Sequence, residues 1–223
     1  LAGGYNRLVS EKAGRFIENE DLVNLPNWLS LTFRINAGKW FALSDVTILD
    51  YRQALDIHKG ILFRTIRFRD YEGRISRVCQ RRFVHMEHAH LAGLEMRIIP
   101  ENWTGKVEFR SALEGRVVNA GVKRYGGLNN NHLVTLETAC PDPELALLKV
   151  QTSQSELRIA IASRLRLLRQ QEPMEAVFKN LIENDHVFQI VEADVSPENA
   201  VTVEKLVSIY TSRDPAMSEC RED

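Results

Sequence analysis

Apolar and polar side chains alternate through much of this chain, and a period of two is that of an extended strand with one buried face. In the longest such run, 156–167, an extended backbone sets Leu157, Ile159, Ile161, Leu165 and Leu167 on one face, while Arg158, Arg164 and Arg166 lie on the other. A helix would scatter the same groups around its circumference. Residues 31–35 alternate as well and run into Asn36-Ala37-Gly38-Lys39, whose Asn and Gly tolerate left-handed turn geometry. Strand character restarts over 40–43, so a hairpin is predicted there. Further strands are predicted over 63–68, 74–86, 91–99, 106–110, 133–136, 145–150, 187–191 and 201–210. Turn material separates them at Gly60, 70–73, Asn102, Gly105, 129–131 and 197–199. Pro26 sets a rigid bend within 24–28. One segment departs from the pattern: Met174, Val177, Phe178, Leu181 and Ile182 have helical spacing behind Pro173, which predicts a short helix over 173–183. The expected architecture is all-β, with many antiparallel strands in one large sandwich spanning 1–223.

Composition narrows the partners. The 223 residues, 44% hydrophobic and 26% charged, suit a folded domain with a core. A formal charge of -1 supplies no global field for nucleic acid and no polybasic arm for an acidic membrane. Cys79, Cys140 and Cys220 are few and odd in number, which points to a reducing, cytoplasmic setting. No apolar run approaches the roughly 20 residues of a membrane helix. The chain opens at Leu1 rather than Met, without a signal-peptide pattern, so it is expected to start inside a longer product.

Reactive groups are present but unassembled. Glycoside cleavage by two protein carboxylates needs them fixed across a sugar ring. Glu18, Glu20 and Asp21 fall in a polar stretch that reads as a solvent-facing loop, and Asp50 and Asp56 flank a turn-like region. His85, His88 and His90 are the local metal candidates: on a strand His88 and His90 share a face, and a turn would have to bring His85 round. The serines lack a nucleophile-elbow context, the glycine pairs lack a phosphate-loop context, and no cofactor is called for. Trp28 beside Asn24 and Asn27, Trp40, and Trp103 beside Asn102 and Arg110 are candidates for stacking on a sugar or for packing at an interface.

Five segments, in order, resemble the N-terminal domain of glycoside hydrolase family 65: Ala2-Gly3-Gly4-Tyr5-Asn6-Arg7, Val23-Asn24-Leu25-Pro26-Asn27-Trp28, Tyr51-Arg52-Gln53-Ala54-Leu55-Asp56, Gln80-Arg81-Arg82-Phe83-Val84, and 204–214. The family includes maltose, trehalose and kojibiose phosphorylases. The resemblance implies a β-supersandwich of the galactose-mutarotase type, followed in the parent by an (α/α)6 catalytic barrel and a smaller β domain. On this reading the chain begins after the domain's first glycine-containing segment, and 213–223 lead toward a helical linker. The implied parent activity is phosphorolysis of an α-linked glucosyl disaccharide with inversion, with inorganic phosphate as co-substrate. Its catalytic glutamate and phosphate ligands would lie outside this chain, and His85 stands where a serine is more usual. The implied role here is non-catalytic: packing on the barrel and supporting a homodimer. An independent carbohydrate-binding module and a His-rich metal-binding protein are the competing readings.

Overall fold

A computed structural model describes residues 4–120, 127–183 and 185–214. The chain opens on a hairpin of β1 (Tyr5–Lys12) and β2 (Arg15–Leu22), closed by Ala13 and Gly14 at φ 52° and 73°. Two positive φ values in a two-residue loop give the twist that a tight hairpin requires. Glu18, Glu20 and Asp21 therefore stand on a strand, not in the expected loop. Charge hid that strand: β2 carries polar groups on both faces and only one face of β1, through Asn6, Leu8 and Ser10, is buried.

Two sheets make the body. The larger contains β4 (Thr47–Asp56), β5 (Ile61–Arg69), β6 (Ile75–Val84), β7 (Leu91–Pro100), β9 (Leu133–Asp142), β10 (Leu145–Thr152), β11 (Arg158–Arg169) and β15 (Val201–Thr211). Its order is β4-β5-β6-β7-β15-β11-β10-β9, with the two-residue β12 (Glu172–Pro173) beside β11. The smaller sheet has the order β13-β14-β8-β3, from β3 (Leu31–Ile35), β8 (Gly105–Glu114), β13 (Phe178–Glu183) and β14 (His186–Val195). All the strand pairs are antiparallel.

Three local expectations are corrected. Residues 178–183 form a strand rather than a helix: Phe178 lies opposite Val191 and Leu181 opposite Phe188, so cross-strand pairing overrides the helical spacing. Residues 40–43 make no ladder with β3. The Phe41 amide donates to the Phe33 carbonyl at 2.8 Å, the two rings stack at 4.7 Å, and a 3-10 turn follows over Leu43–Asp45. The pairing partner of β3 is β8. Asp50 sits inside β4, which starts well before the Gly60 turn.

The core lies between the sheets. One cluster gathers Phe33, Phe68, Ile98, Phe109, Leu165 and Val203; a second gathers Leu113, Leu148, Ile159, Val187 and Val207, with Trp28 packed against it. Each fully buried Leu, Ile or Phe contributes on the order of 1.5–3 kcal/mol. The sheets are unequal in width, and register shows the consequence. Leu167, Val203, Met96, Gln80, Arg64 and Gln53 form one cross-strand row; Leu165, Lys205, Leu94, Arg82, Leu62 and Leu55 form the next. Opposed residues share a face, so all of these sit on the core face. Each row is buried from β11 to β7 and opens to solvent by β4.

Lys205 is buried among apolar neighbours. Its Nζ donates to the Ala112 carbonyl at 2.8 Å and lies 3.3 Å from the Ser30 carbonyl, tying the large sheet to β8 and to the approach to β3. Burial lowers its pKa to about 7, and Glu114 opposes that shift.

Candidate functional site

The sequence candidates disperse. Asn24 and Asn27 are engaged in holding the 23–31 segment. The Asn24 amide nitrogen donates to Asn119 Oδ1 at 2.9 Å, and Asn27 Nδ2 donates to Glu114 Oε2 at 3.0 Å. Backbone bonds between Asn27 and Glu114 extend the same pairing. Trp28 is half-buried against the second core cluster. Trp103 is 8% exposed and its Nε1 donates to Ser76 Oγ at 2.9 Å. Its ring faces the core, so the pairing of Trp103 with Asn102 and Arg110 as a sugar surface does not form. Asn102 instead accepts from the Ile75 amide at 2.7 Å.

Arg110 turns to Trp40. The guanidinium carbons of Arg34 and Arg110 lie 4.7 and 4.3 Å from the indole centroid. Cation–π contacts from the chain itself thus engage the ring that sequence offered as a stacking platform.

The histidines also part. His85 Nδ1 accepts from the amide of His88 at 3.0 Å, closing the turn between β6 and β7. His90 leaves this turn: its ring stacks on Tyr210 at 4.0 Å and Nδ1 lies 2.8 Å from the Ile209 carbonyl. Among the described residues no cluster of three or more His, Cys, Asp or Glu has the geometry to hold a metal. Cys79 and Cys140 are unpaired thiols, and burial pushes that of Cys140 up; Cys220 lies outside the described residues.

A polar cluster that sequence reasoning missed sits beneath the hairpin. His132, almost fully buried, has Nδ1 3.1 Å from Asn6 Nδ2 and Nε2 3.3 Å from Asp21 Oδ2. The latter pair is within ion-pair reach but off hydrogen-bonding geometry. Asn6 Nδ2 also donates to Ser153 Oγ at 3.1 Å, while its Oδ1 accepts from the amides of Gln154 and Ser155. The Ser153 hydroxyl meets Asn6, and Ser153 reaches His132 only through its backbone amide, which donates to the His132 carbonyl at 2.9 Å. An acid, an imidazole and a hydroxyl are therefore close without forming a nucleophilic relay. The cluster fastens β1 and β2 to the sandwich.

A largely apolar concavity lies elsewhere, at the end of β3. It has a volume of about 330 Å³, and Phe33, Phe41 and Phe68 form part of its wall with Lys39, Trp40 and Tyr71. Asp70 and Arg74 close one side; Arg74 Nε donates to Asp70 Oδ2 at 2.6 Å. Tyr71, which sequence placed in a hairpin turn, is 69% exposed, and a hydrogen bond with Glu72 pushes its phenol pKa up.

Comparison with known proteins agrees with the fold. The family described as "Glycosyl hydrolase family 65, N-terminal domain" matches residues 1–223. An uncharacterized glycosyl hydrolase of Mycobacterium tuberculosis is 42% identical over 216 residues, covering 97% of this chain and 16% of that protein. A kojibiose phosphorylase of Halothermothrix orenii is 27% identical over 214 residues, covering 96% of this chain and 25% of the enzyme. A solved structure, a putative kojibiose phosphorylase from human microbiome, superimposes with a TM-score of 0.76 at 13% identity over 93% of this chain and 26% of that one. The chain thus spans about a quarter or less of the length of these relatives. It belongs to the glycosyl hydrolase family 65 N-terminal domain family.

Proposed function

We propose that this chain is the non-catalytic N-terminal domain of a longer cytoplasmic enzyme, an inverting phosphorylase of an α-linked glucosyl disaccharide. In that reaction a carboxylic acid outside this chain protonates the glycosidic oxygen. Phosphate attacks the anomeric carbon from the opposite face as the C–O bond breaks, giving a sugar 1-phosphate and a free sugar. The sandwich, of the galactose-mutarotase type, packs on the catalytic barrel and supports a homodimer; the remainder of the polypeptide follows through a helical linker.

One observation carries the docking role. The core face of the large sheet runs past the edge strand β3 and emerges at β4 with Tyr51, Gln53 and Leu55 exposed. Ile48, Tyr51 and Leu55 leave apolar surface on a long edge strand, which folded proteins normally cover. Arg82 lies on the same face and has no carboxylate partner among the described residues. The facing surface is expected to carry acids.

Purified 1–223, incubated with phosphate and kojibiose, trehalose or maltose, is expected to form no sugar 1-phosphate, whereas the longer polypeptide turns over one of them. Sustained turnover by 1–223, free of the longer enzyme, would defeat this reading.

A further inference from the structure

The cavity at the end of β3 has features that the docking role does not use. Its walls are largely apolar, and it is built by a reversal of the chain. Asn36 and Ala37 take φ values of 48° and 56°, and the Gly38 amide donates to the Ile35 carbonyl at 2.9 Å. A left-handed conformation at Ala37 is strained for a residue with a Cβ. The turn brings Lys39 and Trp40 to one wall, while the β5–β6 connection brings Tyr71 to the other. The separation is small: a Cβ added at Gly38 would stand 3.6 Å from the Tyr71 hydroxyl.

The charges around the cavity largely cancel. Arg34 pairs with Glu108 and Arg74 with Asp70 and Glu72, while Lys39 and Asp45 contribute one charge of each sign to the lining without an ion pair between them. A phosphate or carboxylate ligand would meet no cluster of unneutralised cations. Hydrogen-bonding capacity nevertheless remains. Neither Lys39 nor the Trp40 N–H has a hydrogen-bond partner among the described residues, and Asp45 is engaged through Oδ1 by Ser44 at 2.9 Å. An apolar wall, an exposed aromatic ring and a rim holding donors and an acceptor suit a neutral ligand with one C–H face and a border of hydroxyls. At about 330 Å³ the space admits one or two sugar rings.

We propose that this cavity is a carbohydrate subsite, with the exposed Tyr71 ring as platform and Lys39, Asp45 and the Trp40 N–H as partners for the hydroxyls. It is built wholly from residues of this chain. The choice of sugars rests on the phosphorylase reading; the cavity does not.

The test is an amide NMR titration of 1–223 with kojibiose, trehalose, maltose and glucose, with inorganic phosphate in parallel. The expected result is saturable shifts at 38–46 and 70–74 with at least one sugar and none with phosphate. Tyr71→Ala should weaken that binding roughly tenfold, because a ring contact is lost. Lys39→Ala, at an exposed position outside the core, provides a second variant with weakened binding. Absence of shifts with all four sugars, shifts confined to other regions, an unchanged response in both variants, or a response to phosphate instead would overturn the subsite. Turnover by the longer enzyme alongside a silent titration would sink the subsite alone and leave the proposed function standing.

Discussion

On β11 and β15 the core-facing residues Leu165 and Val203 meet the small sheet and are fully buried, while on β4 Leu55, in the row of Leu165, is 60% exposed. Both ends of the sheet obey one alternation and one register. They differ in what lies over them. Composition follows that difference in the row of Leu167, where Val203 and Met96 give way to Gln80, Arg64 and Gln53; the row of Leu165 buries Lys205 at the covered end and keeps Leu62 and Leu55 toward the open one. Arg64 Nε donates to Gln80 Oε1 at 2.7 Å, a polar pair where the covered end places hydrocarbon. Alternation therefore defines which face a residue takes, and the partner layer defines whether that face is a core or a docking surface.

The sharpest way to break the contrast is to remove the same side chain at both ends. Leu165→Ala should cost about 2–5 kcal/mol in urea unfolding of 1–223, because it empties a closed site, while Leu55→Ala should cost less than about 0.5 kcal/mol. Similar losses at both positions would mean that β4 is covered within this chain. In the longer polypeptide the Leu55 variant should become appreciably more costly.

A smaller effect follows from Lys205, beside Leu165 in the same row. Its pKa in the fold is about 7 against the usual 10.5, so between those values the unfolded chain holds the extra proton. Unfolding free energy should rise with pH from about 7 to 10.5 and receive no slope from this group outside that window, with at most about 5 kcal/mol in play. Lys205→Met should flatten that rise in urea unfolding followed from pH 6 to 10. A wild-type curve no steeper than the variant's would show that Lys205 keeps an ordinary pKa.

The covered end was the more legible in sequence. The alternation of 156–167 became β11 with the expected residues buried, and the turns at Gly60 and 70–73 fell between paired strands. Where few apolar residues mark a face, the signal faded: β2 and the early part of β4 are strands because neighbours pair with them. Phe178, Leu181 and Ile182 satisfy helical spacing and strand pairing alike, and only β14 decides between them. The candidate site was less legible. Trp40 was visible as an aromatic residue, but its arginine neighbours come from β3 and β8 across the fold. Tyr71 carried no signal beyond its turn. Asn6, in a segment that resembles the family, gave no hint that its amide would meet His132 and Ser153, more than a hundred residues away.

Backbone hydrogen exchange of Thr47–Asp56 probes the claim that β4 and its face await the rest of the enzyme. The account predicts fast exchange on the free edge of β4 in 1–223 and at least about tenfold slower exchange of the same amides in the longer polypeptide, with β11 protected in both. Equal exchange of β4 in the two proteins would contradict it.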